Sequence, residues 1–140
     1  MPGPAPSRNA RRRNIRPDWR TLPAAGRTGM VPDWPMAEQS ESESALWLDL
    51  WRTPQAVAWF ELGWTRTVAR YARLVCQSEH QPDPDSDRPA YAEAALLGEI
   101  RQIEDRLGLS PLAMRRLQWE IESAEVESVG PVANVTELFG

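Results

Sequence analysis

Residues 96–121, LLGEIRQIEDRLGLSPLAMRRLQWEI, have the pattern of two helices joined by a short turn. In the first helix, four branched side chains recur at spacings of three or four residues and share one face: Leu96, Ile100, Ile103 and Leu107. Gly108 is suited to the left-handed cap that ends such a helix. Ser110 then offers an N-cap oxygen, followed by Pro111 at the first position of the next helix. This turn fixes the angle between the two helices.

The second helix is predicted to run from Pro111 to Ile121, with apolar residues at i, i+3 and i+7 from Met114. Arg115 and Arg116 point away from that apolar face. The order of helix, Gly-Leu-Ser and arginine-bearing helix has the spacing of a helix-turn-helix, whose second helix enters the major groove of DNA. Helical hairpins also turn through Gly-x-Ser-Pro only because these residues cap helices well. The residues alone leave both interpretations open.

Length and composition indicate one domain with tails. The chain has 140 residues, 41% of them hydrophobic, which suffices for one modest core. No run approaches eighteen apolar residues, and no apolar segment follows the N-terminal charges, so we expect neither a membrane span nor a signal peptide. We therefore expect a cytoplasmic protein with no membrane partner. The single cysteine, Cys76, excludes an internal disulfide and has the setting of a small buried hydrophobe.

Charge divides the chain into a basic arm and an acidic body. All sixteen basic residues are arginine. Residues 1–29 hold seven arginines against Asp18, a net charge of +6, whereas residues 30–140 hold nine arginines against nineteen acids, a net charge of −10. The overall pI of about 5.1 hides this asymmetry.

The arm, residues 1–36, is rich in Pro, Gly and Arg and shows neither helical nor strand periodicity, so we expect it to lack fixed structure by itself. Flexible arginine-rich arms bind nucleic acid by neutralising phosphates. A solubilising or localising charge run is the alternative. Trp19 and Trp34 are costly to leave in a solubilising tail; they would stack on a partner or pin the arm to the body, and pinning is favoured for Trp34. The arginines of the arm are Arg8, Arg11, Arg12, Arg13, Arg16, Arg20 and Arg27.

The body, residues 37–123, is predicted to be helical. The SESES segment offers N-caps for a short amphipathic helix with Leu46, Trp47, Leu50 and Trp51 on one face. Thr53-Pro54 opens a longer helix over residues 55–78, with a kink or break allowed at Gly63. A further helix begins at Pro89 or Ala90. The fold class is therefore an all-α bundle of about four helices, with a flexible basic arm and an acidic tail at residues 124–140.

Three arginines lie opposite the apolar face of the longer helix: Arg66, Arg70 and Arg73. Such a stripe is commonly a solvated face or a set of ion pairs with neighbouring glutamates. The alternative is a surface that lines a DNA channel or meets the acidic first helix of a neighbouring subunit. The sequence does not decide between these roles.

The sequence contains no motif for catalysis or metal binding. Asp83, Asp85 and Asp87 alternate as in a calcium loop, but Arg88 stands where that loop needs glycine. The lone His80 has no histidine or cysteine at ligand spacing, and no nucleophilic triad or phosphate-cradling loop is present. We expect no metal, no cofactor and no catalytic activity. In the tail, Leu138 and Phe139 form an apolar pair that would bind a partner groove or remain disordered.

Three stretches carry a family resemblance. LGLSPLAMRRLQWEI resembles the closing motif of the P27-type small terminase subunits of tailed double-stranded DNA phages. GPAPSRNARRRN, DWRTLPAAGRTG and PDWP are similar to the opening of such subunits from phages of high-GC hosts, and WRTPQAVAWFELGWTRTVARYARLV resembles their middle. The resemblance covers most of residues 2–123.

This resemblance implies a non-catalytic small subunit that binds viral double-stranded DNA in the host cytoplasm. It would assemble into a homo-oligomeric ring and bring DNA to the large terminase subunit, an ATPase and nuclease, with Leu138 and Phe139 as the contact to that partner. The arginine arm would hold phosphates, assisted by the stripe and by Arg115 and Arg116, and the ring would multiply a weak affinity. Five tryptophans in the body favour faces buried between copies. The alternative function is a dimeric helix-turn-helix transcriptional regulator reading its operator through Arg115 and Arg116.

Overall fold

The computed structural model describes residues 18–80, 84–85 and 88–123, which form a helical body with one very short sheet. The all-α prediction is confirmed. The elements in chain order are β1 (Arg20–Leu22), α1 (Glu41–Leu50), α2 (Ala56–Leu62), α3 (Thr65–Glu79), α4 (Ala90–Leu107), α5 (Pro111–Leu117) and β2 (Trp119–Ile121). Within these ranges no helix combines the length and the apolar character that crossing a bilayer requires.

The helix ends follow the capping residues of the sequence. At α1, the Ser40 hydroxyl accepts from the Glu43 N–H (3.1 Å) and the Glu43 carboxylate accepts from the Ser40 N–H (2.9 Å), so two backbone donors are satisfied reciprocally. Gly63, with φ of 73°, ends α2 and separates it from α3, so the segment predicted as one long helix is two. The break allowed at Gly63 is the one observed.

The turn between α4 and α5 is the predicted one. Gly108 takes a left-handed conformation (φ 72°), and the Ser110 hydroxyl accepts from the Ala113 N–H at 3.1 Å, with Pro111 at the start of α5. The apolar face predicted for α4 is buried: Leu96, Ile100, Ile103 and Leu107. The length predicted for the second helix was wrong. α5 ends at Leu117 because Gln118 is left-handed (φ 61°), and the chain continues as a strand.

That strand pairs with the arm. β1 and β2 run parallel, with Arg20 opposite Trp119 and Leu22 opposite Ile121. The Arg20 N–H donates to the Gln118 carbonyl at 2.8 Å, and the side chain of Leu22 is fully buried. The expectation that the whole arm lacks fixed structure was therefore wrong for Arg20–Leu22. A strand of three residues is too short to show a period of two, so only the partner strand reveals it.

A row of tryptophans crosses the core. The rings of Trp34, Trp47, Trp51 and Trp59 meet edge to face, with successive centroids 5.0, 5.4 and 5.8 Å apart. The Trp47 indole N–H also donates to the Pro32 carbonyl at 2.8 Å. Trp34 thus holds the arm against α1, as the pinning interpretation predicted.

The C-terminal end of α4 is tied to α2 and β2. The Trp59 indole N–H donates to the Leu107 carbonyl at 2.8 Å, and the Gln55 amide donates to the Gly108 carbonyl at 3.1 Å. These two donors satisfy carbonyls that a helix end leaves without partners. The ring of Trp119 lies directly against Gly108, where a Cβ would stand only 2.5 Å from it.

The tryptophans are used inside the chain. Four of the five in the body are buried in its own core: Trp47, Trp51, Trp59 and Trp119. Their number therefore gives no independent reason to expect faces buried between copies, and the oligomer stays a prediction.

Candidate nucleic-acid interface

Seven of the twelve arginines predicted to bind DNA lie in the described part of the chain: Arg20, Arg27, Arg66, Arg70, Arg73, Arg115 and Arg116. The other five lie outside the described residues: Arg8, Arg11, Arg12, Arg13 and Arg16. The tail pair Leu138 and Phe139 also lies outside them. The seven described site arginines fall into two groups, distinguished by what their guanidinium groups contact.

Arg73 bonds to residues of its own chain. Its Nε donates to the Glu43 carboxylate at 2.7 Å, and a second nitrogen donates to the carbonyls of Ala37 and Glu38. The guanidinium carbon also stands 5.5 Å from the centre of the Trp34 ring. Arg73 therefore joins α3 to α1 and to the end of the arm, as in the interpretation of the stripe as ion pairs with neighbouring glutamates.

Glu43 is the buried partner in this ion pair. Burial raises its pKa, but hydrogen bonds from Arg73 and from the backbone and side chain of Ser40 lower it by more, and the net pKa lies below its usual value. The side chain is only about one-tenth exposed. A buried carboxylate with these donors stays ionised at neutral pH, so it holds Arg73 in place.

Arg20 and Arg27 fasten the segment after residue 18 to α2. Arg20 forms an ion pair with Glu61, while the Arg27 guanidinium lies 4.6 Å from the ring centre of Phe60 and donates to the Met30 carbonyl at 2.9 Å. Gly26, with φ of 87°, permits this path, because a Cβ there would overlap the Arg52 carbonyl oxygen. Both arginines contribute to how the arm is held.

Four arginines remain exposed: Arg66 and Arg70 on α3, and Arg115 and Arg116 in the last turn of α5. Among residues 18–80, 84–85 and 88–123, none of these four forms an ion pair with an acid. Their guanidinium groups are available to phosphate, for which arginine has matching donors. The pair on α5 lies beside Gln118, whose carbonyl accepts from the Arg20 N–H. The segment that precedes Arg20 therefore joins the body next to this pair.

The helix-turn-helix interpretation fits this geometry poorly. A recognition helix contacts base edges with its N-terminal residues. The first three residues of α5 are Pro111, Leu112 and Ala113, and its arginines come only in the last of its two turns. The Gly-Leu-Ser-Pro sequence acts here as a pair of caps.

Two features were not found from the sequence. Arg106 lines an open groove with Trp64, Thr67, Leu107 and Leu117, which come from α4, α5 and the beginning of α3. Tyr71 donates to the Glu104 carboxylate at 3.0 Å, and burial together with that bond raises the pKa of the phenol. No pattern in the sequence paired Tyr71 on α3 with Glu104 on α4.

Cys76 is half-buried on α3. Burial, and then the nearby charges of Glu43 and Glu79, raise the pKa of its thiol, so it is protonated and weakly nucleophilic at neutral pH. In the part of the chain that the structure covers, no three histidine, cysteine, aspartate or glutamate side chains stand close enough together to hold a metal ion.

Comparison with known families gives a match over nearly the whole chain. Residues 1–138 match the model of the family described as phage terminase small subunit. Searches of curated proteins and of solved structures gave no significant match. The match agrees with the family resemblance of the opening, middle and closing stretches. The chain belongs to the phage terminase small subunit family, whose members take part in phage DNA packaging.

Proposed function

We propose that this chain binds viral double-stranded DNA through its arginine arm, assembles into a ring, and presents the DNA to the large terminase subunit in the host cytoplasm. One observation carries the proposal. Residues 1–17 contain five arginines and no acidic residue, a net charge of +5, and shortly after them the Arg20 N–H bonds to the carbonyl of Gln118, two residues after the exposed pair Arg115 and Arg116.

The short sheet supports a shared contact between arm and body. Because the Arg20 N–H bonds to the Gln118 carbonyl at 2.8 Å, the arm contacts the body at the end of α5. Arg16 is four residues before Arg20, a distance of at most about 14 Å along an extended chain. Arm and pair therefore act on neighbouring phosphates of the same duplex, and each neutralised phosphate strengthens binding by counterion release.

Arg66 and Arg70 form a second exposed patch. In the proposal they either contact DNA or meet the acidic first helix of a neighbouring copy, where Glu41 and Asp49 are exposed. Arg73 is left out of this patch because its donors are used within the chain. Measuring the mass of an Arg66→Gln, Arg70→Gln variant separates the roles, since only an interface role changes the oligomer.

The ring is supported by family membership and by apolar side chains on the surface. Among the described residues, the large hydrophobic side chains that are more than half exposed are those of Met30, Phe60, Leu62, Tyr91 and Leu112. Scattered exposure of this kind is ordinary in a monomer, but several copies would cover it. A closed assembly also raises the effective concentration of arms around one duplex. Native mass spectrometry should show a closed oligomer larger than a dimer, and a monomer at every concentration would contradict the ring.

The contact with the large subunit is proposed for the tail, at Leu138 and Phe139. Apolar pairs in acidic segments are suited to partner grooves. Replacing both with serine should reduce capture of the large subunit without changing DNA affinity. Loss of DNA binding with normal capture would contradict this assignment.

The DNA proposal is tested by removing charge from the arm without removing the arm. Deleting residues 1–29 is unsuitable because Leu22 belongs to the core. We expect the salt dependence of binding to weaken when glutamine replaces Arg8, Arg11, Arg12, Arg13 and Arg16. The slope of log affinity against log salt is negative, and it should become less steep by about 4 to 5, at about 0.9 per phosphate contact. Fluorescence anisotropy with a duplex at several salt concentrations measures this slope.

The matched control is Arg101→Gln, which removes an exposed arginine from α4. Its slope should equal that of the wild type. An arm variant whose slope also stays at the wild-type value would overturn the proposal.

A further inference from the structure

The groove at Arg106 has the shape and chemistry of a docking site. Its volume is about 370 Å³, and it is lined by Trp64, Thr67, Arg106, Leu107 and Leu117. Most of this lining is apolar, with one charge at Arg106. Arg106 is exposed and forms no ion pair with the other residues that the structure describes. The groove therefore suits a short apolar segment that carries a negative charge beside it.

The described chain ends four residues after Trp119, whose ring contacts a residue of the groove lining. The Trp119 ring lies 6.1 Å from the Trp64 ring, centre to centre, and Trp64 lines the groove. Ser123, the last described residue, is four residues after Trp119, at most about 14 Å along the chain. From Ser123, fifteen residues lead to Leu138, and a flexible chain of that length spans about 20 Å on average. The tail is therefore long enough to return to the groove.

The chemistry of the tail matches the groove. Residues 124–140 carry Glu125, Glu127 and Glu137 and no basic residue, a net charge of −3. Leu138 and Phe139 stand together directly after Glu137. This arrangement places two bulky apolar side chains beside one carboxylate, which is the complement of an apolar floor with one arginine.

We propose that Leu138 and Phe139 dock into this groove of their own chain, with Glu137 paired to Arg106. The occupant is the same chain because a short tether holds the pair near the groove at an effective concentration of about millimolar, whereas another molecule must supply that concentration itself. The groove is then a resting place for the segment assigned above to the large subunit. The docking stands on the groove and the tail alone and does not depend on that assignment.

A contact quencher tests the docking in the full chain. The native thiol is removed by Cys76→Ser, and a bimane fluorophore is attached to the cysteine introduced by Gly140→Cys. The fluorophore then stands directly after Phe139 in the chain. Tryptophan quenches bimane on contact, so we expect quenching in this protein and its loss when Leu138→Ser and Phe139→Ser are added. Trp64→Phe should relieve the quenching while keeping the groove apolar. Trp34→Phe is the matched control, because Trp34 packs against Trp47 and does not line the groove, and it should leave the quenching unchanged.

Each outcome decides for or against the proposal. An unquenched parent protein, or quenching that survives Trp64→Phe in full, overturns it. Mixing labelled Trp64→Phe chains with an excess of unlabelled wild-type chains tests the choice of occupant. Return of quenching in the mixture means docking onto a neighbouring copy and overturns docking within one chain, whereas no return supports it. Arg106→Glu should reduce the quenching, and charge restoration by Glu137→Arg in the same protein should recover it.

Discussion

The C-terminal end of α4 and the exposed arginines of α5 use hydrogen-bond donors in opposite ways. At the end of α4, the Trp59 indole and the Gln55 amide both donate to backbone carbonyls that the helix leaves unpaired. On the surface, Arg115 and Arg116 offer guanidinium groups that no acid of the described residues pairs with. In the first region the donors stabilise the fold, whereas in the second they are exposed and, under the proposed function, bind phosphates.

The same division separates the arginines from one another. Arg73 has a buried carboxylate, two carbonyls and an aromatic ring as neighbours, whereas Arg66 and Arg70 on the same helix are exposed. Neither the net charge nor the helical spacing distinguishes these three arginines. Only the partners of each guanidinium show which arginine stabilises the fold and which is available to DNA.

The largest effect on stability is expected for Trp59→Ala. This change removes a fully buried ring from the row of tryptophans and the donor to the Leu107 carbonyl. The free energy of unfolding should fall by about 3–5 kcal/mol. Urea denaturation measures it, with exposed Leu48→Ala as a control that should change stability by less than about 0.5 kcal/mol. Equal effects of the two changes would mean that the end of α4 is not the anchor of the fold.

Substitutions at two glycines compare the packed C-terminal end of α4 with an unpacked position inside the same helix. Gly108→Ala puts a Cβ on a left-handed residue 2.5 Å from the Trp119 ring, and should cost about 2 kcal/mol. Gly98→Ala lies inside α4 with no atom within 4 Å of the added Cβ, and should stabilise the protein by about 0.5–1 kcal/mol. Thermal unfolding of both variants should show shifts of opposite sign. Shifts of the same sign would refute this account of the cap.

The ion pair of Glu43 and Arg73 predicts a dependence of stability on pH. Because the pKa of folded Glu43 is lowered from the ordinary 4.5, its charge stabilises the fold above that value, and this stability is lost as pH falls through the folded pKa. Glu43→Gln should cost about 1.5 kcal/mol at neutral pH and much less in acid. Urea midpoints across the acidic range measure this, with exposed Glu41→Gln as the control. A cost that does not shrink in acid would contradict the assignment.

Much of the fold is predictable because capping residues act locally. Gly63, Gly108 and Ser110 end or begin helices through backbone geometry and hydrogen bonds within a few residues. The pairing of β1 with β2 could not be predicted, because Arg20 and Trp119 are far apart in sequence and each strand has three residues. The left-handed Gln118, which shortens α5, has no glycine or asparagine to announce it.

The candidate site was predictable only in part, because the contacts of its arginines depend on residues distant in sequence. The charge of the arm is visible in the sequence, and so is the exposure of Arg66 and Arg70 on a helix face. The partners of Arg73 lie 30 or more residues away, on α1 and before it, so the sequence alone could not separate Arg73 from Arg66 and Arg70. Local patterns specify which residues are charged, whereas tertiary packing decides which charges remain free.

The division of the arginines is tested most directly by the salt dependence of duplex binding in two double variants. Arg115→Gln with Arg116→Gln should make the negative slope of log affinity against log salt less steep by about 1.8. The free energy of unfolding of this variant should stay within about 0.5 kcal/mol of the wild-type value. Arg20→Gln with Arg73→Gln should lower stability and leave the slope unchanged. If both variants make the slope less steep by the same amount, or if the first leaves it at the wild-type value, the separation of structural from DNA-facing arginines is wrong.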